Sequence, residues 1–275
     1  SRADVVAVAQ SLGRGLVVEP FLQSAVLAMR LMAACGRPAN LAPLLAGEKR
    51  LAVAWADPPP DREPLRWQQT GGTILLNGCK TFVIQAIGVE QFIALCLAPH
   101  DFAAFLMDSN QPGLERTDYR LVDGSIASEF RFSDVVVPAD ARLDISLSNW
   151  EEAKAWADLT ACGEMVGILG RLLNETAEYL RTRRQFGVAI GSFQALQHKM
   201  ARMLIDYEKG QALLSRAAAT GDENDWARDT VACKTFLSRT ALGIAEGCTQ
   251  LHGGMGITDE LFVGHALKKL LVLRA

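Results

Sequence analysis

The spacing of apolar residues divides the chain into a helical start, a strand-rich middle and a helical end. Residues 20–45 carry apolar positions at helical spacing, and Gly36 with Pro38 is the expected stop. Residues 51–144 hold short β-rich runs that are separated by turn clusters such as ADPPPDREP and SNQPG. The clearest predicted strands are TILLNGCKTFVI, QFIALCLA, AAFLMD and SEFRFSDVVVP.

Four helices are predicted in the last part of the chain. The first is long and has one apolar face, the second begins at Phe193, the third covers roughly 225–250, and the fourth follows HGGMGITDE. Because strands and helices are not interleaved, the pattern predicts an α+β fold rather than a doubly wound parallel sheet. The expected domains are residues 1–50 (helical), 51–145 (β) and 146–275 (helical bundle).

Composition excludes several classes of function. Of 275 residues, 49% are hydrophobic and 21% charged, and the net charge is −3, so the basic excess of a nucleic-acid binder is absent. The six cysteines are scattered without metal-ligand spacing, which favours free buried thiols in a reducing cytoplasm and no metal site. No apolar run is long enough to span a bilayer, and no signal-peptide pattern is present. We therefore expect a cytoplasmic protein.

The segment RTRRQFGVAIGSFQALQ carries the densest basic cluster. Arg181, Arg183 and Arg184 are expected in the last turn of the long helix, where cations offset the helix dipole, and this suffices to explain Arg181. After a glycine-punctuated turn, Ser192 is expected to cap the next helix, whose free N–H groups favour an anion. A guanidinium beside such amides suits a pyrophosphate.

A second glycine-rich segment, QLHGGMG, follows the third predicted helix. Glycines at this position often only end a helix, and no strand precedes them, so this is not a dinucleotide-binding fingerprint of the strand–turn–helix type. We expect His252 to be a packed, hydrogen-bonded side chain rather than a catalyst.

Both segments resemble motifs of the acyl-CoA dehydrogenase family. The first is similar to its Arg-x-Gln-Phe-Gly followed by Ile-x-x-Phe-Gln-x-x-Gln, and the second to its Gln-x-x-Gly-Gly-x-Gly. The resemblance implies that the hairpin holds the pyrophosphate and adenosine end of FAD, usually an FAD bound mainly by a neighbouring subunit. The implied cofactor-binding residues are Arg183, Gln185, Phe186, Gln194, Gln197, Gln250, Gly253 and Gly254.

The resemblance extends over essentially the whole chain. SLGRGLVVEPFLQSAVLAMRLM resembles the end of the family's N-terminal helical domain, and LNGCKTFVIQA with SEFRFSDVVVPADARL resembles its central β domain. The implied fold has N-terminal helices, a barrel-like β domain and a C-terminal four-helix bundle. Much of the N-terminal domain and the extreme C-terminus are expected to be missing. The motif variants look most like the small-subunit branch of pimeloyl-CoA (dicarboxylyl-CoA) dehydrogenases.

The resemblance implies α,β-dehydrogenation of an acyl-CoA thioester. A carboxylate removes the α-proton, a hydride passes from the β-carbon to FAD, and an electron-transfer flavoprotein takes the electrons. The acyl group would come from fatty acid, dicarboxylic acid or steroid side-chain degradation, and the assembly would be a homotetramer or a heterotetramer with a sister subunit. Two alternatives remain: an acyl-CoA oxidase of the same fold, and a non-catalytic subunit that completes FAD sites in a heteromeric enzyme.

Two departures from the family affect the expected flavin and substrate contacts. The Thr-Glu-Pro…Ser-Asp segment that lines flavin and acyl-CoA is replaced by AWADPPPDREP, which keeps an acid and prolines but lacks the hydroxyls. Phe82, Val83 and Ile84 stand where many members carry Trp-x-Thr, so the threonine hydroxyl is missing.

The catalytic base is a third departure. In much of the family this glutamate lies one long helix beyond the glycine motif, close to where this sequence ends at Ala275, so the base is expected either beyond Ala275 or on a partner chain. Another branch carries it on the first long helix of the bundle, at the position that Ala157 occupies here. Asp158 is one residue away, and Glu164 lies two turns further along the same face as Ala157. Both acids are candidate catalytic residues, and a salt-bridge role explains either of them equally well.

Overall fold

The computed structural model describes residues 1–36, 38–98, 101–221 and 223–274. They form two compact units, one of Ser1–Glu19 with Asp158–Ala275 and the other of Pro20–Ala157. We call these the helical unit and the β unit. The first helix thus lies in the same compact unit as the C-terminal helices. The division of the chain into three domains stays a prediction.

The helical unit contains the first helix of the chain and four later helices. The first of these later helices begins in the β unit. Their bounds are α1 (Arg2–Gly15), α4 (Leu147–Thr182), α5 (Gln194–Ala219), α6 (Glu223–His252) and α7 (Phe262–Arg274). The four predicted helices are therefore confirmed. Their apolar positions recur at helical spacing, and the buried ones on α7 include Val263, Ala266 and Leu270.

A seam of small residues joins α1 to α4. A methyl group on Gly13 would overlap the carbonyl oxygen of Glu164, and one on Gly167 would overlap the carbonyl oxygen of Gln10. At Gly163, an added methyl would lie 2.7 Å from the Ala9 Cβ. Glycine at these positions lets the two backbones approach more closely than any side chain would allow.

Among the residues that the structure describes, the β unit contains short helices and seven strands. A π-helical segment (Phe21–Ala28) leads into α2 (Met29–Ala34), and α3 is Pro38–Leu45. The strands are β1 (Leu51–Ala54), β2 (Arg66–Thr70), β3 (Thr73–Ile84), β4 (Gln91–Ala98), β5 (Asp101–Asp108), β6 (Leu114–Arg120) and β7 (Ile126–Pro138).

The strands form two sheets that share one core. The first has the order β1-β4-β5, with β1 parallel to β4, and the second has the antiparallel order β2-β3-β7-β6. Alternate side chains of both sheets meet in this core, including Phe92, Phe105 and Phe130. The fold is α+β with an acyl-CoA dehydrogenase-like arrangement, as the sequence predicts.

The cysteines are buried and unpaired, as expected for reduced structural thiols. Among the described residues, no helix combines the length and the hydropathy that crossing a lipid bilayer requires.

Candidate functional site

The arginine cluster lies where α4 gives way to a short hairpin. The helix ends at Thr182, so the expectation that Arg183 and Arg184 belong to its last turn is wrong. The Arg183 N–H donates to the Tyr179 carbonyl at 2.8 Å, and Arg184 starts β8 (Arg184–Gln185), which pairs with β9 (Val188–Ala189). The chain reverses through Phe186 and Gly187, both with positive φ.

The arginines of this cluster differ in their partners. Arg181 pairs with Glu178, with 3.4 Å between the charged atoms, which fits a surface role at the helix end. Arg184 contacts the Gly187 carbonyl at 3.5 Å. Within the described part of the chain, the Arg183 guanidinium is exposed and has no polar partner, so it is the arginine available to an anion.

The second helix of the motif begins without a side-chain cap. Ser192 is not the cap that the sequence predicts, because its hydroxyl donates to the Ala189 carbonyl at 2.7 Å. Phe193 occupies the cap position and offers no side-chain acceptor, so the first amides of α5 keep their hydrogen-bonding capacity. Gln194 is exposed at this end, whereas the Gln197 amide donates to the Gly191 carbonyl at 2.9 Å and steadies the turn.

The hairpin also exposes aromatic surface. Phe186 is 89% exposed, and its ring makes an edge contact with Phe193 at a centroid distance of 6.2 Å. Gln185 is exposed next to it. An apolar ring, an unpaired guanidinium and uncapped amides together suit a ligand that has both a planar ring and phosphate groups.

The glycine-rich turn follows directly on α6. Gly253 has a φ of +61°, a conformation that side chains rarely adopt. A methyl group added to Gly253 or Gly254 would meet no described heavy atom within 4 Å, so the backbone is open to a ligand here. Gln250, on the last turn of the helix, is exposed.

His252 connects the glycine-rich turn to the hairpin. Its ring is buried and stacks on Tyr179 at a centroid distance of 4.4 Å, and its Nδ1 lies 2.9 Å from the Cys248 carbonyl oxygen. The expectation of a packed, hydrogen-bonded histidine is confirmed. Since Tyr179 also accepts the Arg183 N–H, the stack places both motifs at the same end of the helical unit.

Both candidate acids on α4 face lysines of neighbouring helices. Asp158 Oδ1 lies 3.8 Å from Lys234 Nζ, and each side chain is 18% exposed. Glu164 Oε2 lies 4.0 Å from Lys269 Nζ, and the Glu164 side chain is 8% exposed. Burial raises the pKa of Glu164, and the nearby Lys269 ammonium offsets this only in part. These contacts supply the salt-bridge roles that the sequence left open beside catalysis.

The raised pKa of Glu164 predicts a pH-dependent effect of Glu164→Gln. The folded protein holds this proton more tightly than the unfolded chain, whose carboxyl has a pKa near the ordinary 4.5. The stabilisation that the protonated Glu164 provides is therefore complete below pH 4.5. It is lost as the pH rises through the pKa that Glu164 has in the folded protein. We expect the free energy of unfolding of Glu164→Gln, relative to the parent, to increase from pH 4 to pH 8.

Urea unfolding at the two pH values measures this change. Glu246→Gln, which alters an exposed acid on α6, controls for the loss of one negative charge. A relative stability of Glu164→Gln that is the same at both pH values, or that falls as the pH rises, would contradict the expectation.

The β unit contains a buried ion pair that the sequence analysis missed. Lys80 is fully buried on β3, and its Nζ lies 2.6 Å from Asp57 Oδ1 and donates to the Trp55 carbonyl at 2.9 Å. Burial lowers the pKa of Lys80, and the contact with Asp57 counteracts this. The lysine of the Gly-x-Lys strand and the acid retained in AWADPPPDREP were the available signals, but nothing in the sequence joins them.

Known proteins share this sequence pattern and fold. The family described as "Acyl-CoA dehydrogenase, C-terminal domain" matches residues 155–275. A chain of the ChsE4–ChsE5 complex from Mycobacterium tuberculosis superimposes with a TM-score of 0.91 over 99% of this chain and 76% of that one, at 26% identity. Residues 155–275 thus match the acyl-CoA dehydrogenase C-terminal domain, and the chain as a whole is similar in fold to acyl-CoA dehydrogenases.

Curated proteins are similar to this chain over most of its length. An L-prolyl-[peptidyl-carrier protein] dehydrogenase from Serratia sp. is 29% identical over 82% of this chain and 63% of its own length. The short-chain specific acyl-CoA dehydrogenase of Megasphaera elsdenii is 25% identical over 83% of this chain and 64% of its own length. The chain thus spans less than two thirds of the length of these two relatives.

Proposed function

We propose that this chain is a flavoprotein subunit that carries out, or takes part in, α,β-dehydrogenation of an acyl thioester. The observation that carries the proposal is the meeting of an unpaired Arg183, an uncapped α5 N-terminus and an open glycine turn at one end of the helical unit. The guanidinium and the amides suit the pyrophosphate of FAD, and the exposed glycine backbone permits close approach of the cofactor.

The residues present fit this cofactor. Arg183 and the first amides of α5 would hold the pyrophosphate, Phe186 and Gln185 would flank the adenosine end, and Gly253 with Gly254 would let the backbone approach. Three uncharged side chains are proposed as further contacts of the cofactor: Gln194, Gln197 and Gln250. When bound, FAD supplies the acceptor for the hydride that leaves the β-carbon of the substrate.

The remaining parts of the reaction follow from the family. The substrate is an acyl-CoA thioester, the electrons leave to an electron-transfer flavoprotein, and the chain works in a tetramer because the hairpin serves the FAD of a neighbouring subunit. A carboxylate must take the α-proton, and Asp158 and Glu164 are the candidates on α4. An oxidase of the same fold would pass the electrons to dioxygen instead.

Reduction of bound flavin by substrate is the direct test. We expect the purified protein, supplemented with FAD, to be yellow and to bleach anaerobically on addition of butyryl-CoA or a longer acyl-CoA. Release of hydrogen peroxide in air at the rate of bleaching would favour the oxidase. Failure to bind FAD, either alone or with a sister subunit, would contradict the proposal.

A non-catalytic subunit is the second candidate, and the environment of the expected base favours it. Ala157 stands at the base position, and both nearby acids contact lysines, Lys234 for Asp158 and Lys269 for Glu164. The similar chain from Mycobacterium tuberculosis belongs to a complex of two different proteins. In this role the chain would complete FAD sites for a sister subunit and stabilise the heterotetramer.

Asp158→Asn tests whether Asp158 is the base. If Asp158 is the base, the variant retains FAD but loses flavin reduction by acyl-CoA, because the amide cannot accept the proton. We expect instead that reduction continues at the parent rate, with the base supplied elsewhere. Glu151→Gln, an exposed acid near the start of the same helix, is the matched control. Complete loss of reduction with FAD retained would make Asp158 catalytic.

A further inference from the structure

The stacked pair of Tyr179 and His252 lies between the two motifs of the candidate site. Tyr179 is in the last turn of α4, which ends at Thr182, and His252 is the last residue of α6. Their rings stack at a centroid distance of 4.4 Å with 27° between the ring planes, and the Tyr179 hydroxyl donates to the His252 carbonyl at 3.3 Å. The hairpin follows Tyr179 along the chain, and the glycine-rich turn follows His252.

The His252 ring is held in one orientation. Its Nδ1 lies 2.9 Å from the Cys248 carbonyl oxygen, and because a carbonyl oxygen only accepts, Nδ1 carries the proton. The ring is buried, so this bond and the stack on Tyr179 fix it from two sides. One turn earlier on each helix, the side chains of Thr176 and Cys248 are hydrogen-bonded to each other and join α4 to α6. The two helix ends are therefore held in a fixed register.

The hairpin is attached to Tyr179 through its backbone. The Tyr179 carbonyl accepts the Arg183 N–H at 2.8 Å, and the Arg183 carbonyl accepts the Ile190 N–H at 2.9 Å, which closes the hairpin. A methyl group on Gly191 would lie 2.9 Å from the Leu180 carbonyl oxygen, so the end of the hairpin lies directly against the last turn of α4. A displacement of Tyr179 therefore moves the hairpin with it.

The glycine-rich turn is attached to His252 in a similar way. It begins at the next residue and folds back on the last turn of α6. A methyl group on Gly256 would lie 2.5 Å from the Thr249 carbonyl oxygen and 3.1 Å from the His252 Cβ. The distance between the turn and the hairpin thus depends on the stack of His252 on Tyr179.

We propose that Tyr179 and His252 are positioning residues, whose stack keeps the hairpin and the glycine-rich turn at a fixed spacing so that the two motifs hold the cofactor as one preformed site. A preformed site loses less conformational entropy when it binds a ligand, so it binds more tightly. The inference rests on the proposed function for the identity of the cofactor, FAD. It adds that the two motifs depend on each other, so that a change at one loosens the other.

Hydrogen–deuterium exchange of the FAD-free protein tests this dependence. We expect His252→Leu to raise the exchange rate of the hydrogen-bonded amides in residues 181–193 about tenfold, while amides in the middle of α5 and α6 keep the parent rate. His265→Leu, which changes an exposed histidine of α7 whose ring contacts the Asp259 carbonyl, is the control. Unchanged exchange of the hairpin in His252→Leu, or a uniform rise across the whole unit, would overturn the proposal.

Two variants of Tyr179 test the stack without changing the histidine. Phenylalanine keeps the stacked ring, so Tyr179→Phe is expected to leave the exchange rate of the hairpin close to that of the parent. Leucine removes the ring, so Tyr179→Leu is expected to raise the rate about tenfold. Equal exchange rates in the two variants would contradict the role of the stack.

A double-mutant cycle in FAD affinity measures the coupling between the motifs. His252→Leu alone is expected to weaken FAD binding about tenfold. The double variant with Arg183→Ala should lose less than the product of the two single losses, because a displaced hairpin no longer places Arg183 at the cofactor. Losses that multiply would show that the motifs act independently and would overturn the proposal. If the parent does not bind FAD, the proposed function fails, and the exchange rates alone decide whether the stack links the motifs.

Discussion

Arg183→Ala is expected to weaken FAD binding about ten- to a hundredfold, while Arg181→Ala leaves it nearly unchanged. The two side chains are two residues apart, but their environments differ. Arg181 already pairs with Glu178 on the helix surface, whereas the Arg183 guanidinium is unpaired within the described residues, beside the uncapped start of α5. A charge-assisted contact to a pyrophosphate is worth roughly 1.5–3 kcal/mol, which gives the stated range.

Flavin fluorescence quenching on titration of the apoprotein measures both affinities. The measurement is made on the assembled oligomer, because the proposed site serves a neighbouring subunit. Arg181→Ala is the matched control for loss of a positive charge from the same cluster. Equal FAD affinity in the two variants would remove Arg183 from the cofactor site.

Gly167→Ala is expected to destabilise the helical unit by about 1–3 kcal/mol. The new methyl group would overlap the Gln10 carbonyl oxygen, and neither backbone can move without separating α1 from α4. The same substitution at Gly243, in α6, should stabilise the protein by about 0.5–1 kcal/mol, because no heavy atom lies within 4 Å of the added methyl.

Denaturant unfolding followed by circular dichroism compares the two variants. The two changes in stability are expected to have opposite signs, and this difference is more informative than their sizes. Both substitutions raise helix propensity equally, so they differ only in the space available to the added methyl group. A Gly167→Ala variant that is as stable as Gly243→Ala would show that α1 and α4 do not meet through a backbone seam.

The sequence predicted the longer strands that carry several buried apolar residues. TILLNGCKTFVI coincides with β3, and QFIALCLA coincides with β4. The named runs omitted β1, β2 and β6. The strands β2 and β6 have no fully buried residue, and β1 has four buried residues in a row, so none of the three shows an alternation that a local pattern could reveal. Pairing with β3 and β7 forms β2 and β6, and such long-range pairing is not visible in a local pattern.

Motif spacing in the sequence predicted the positions of some residues of the candidate site. The contacts that depend on how helices and turns pack could not be predicted from the sequence. The positions of Arg183 and Gly253 followed from their motifs, although their part in binding FAD stays a prediction. Ser192 was wrongly expected to cap α5, because its hydroxyl has a nearer acceptor in the preceding turn. The partners of Asp158 and Glu164 come from α6 and α7, so their distances depend on how helices pack.

The seam between α1 and α4 has a consequence for synthesis on the ribosome. Gly13 is made before the β unit, but its contact surface around Gly163 follows only after the whole β unit has been made. At typical elongation rates this delay is on the order of ten seconds, which is long compared with the folding time of a small domain. The nascent α1 therefore leaves the exit tunnel with its glycine face uncovered, and we expect chaperone binding to concentrate on it until α4 appears.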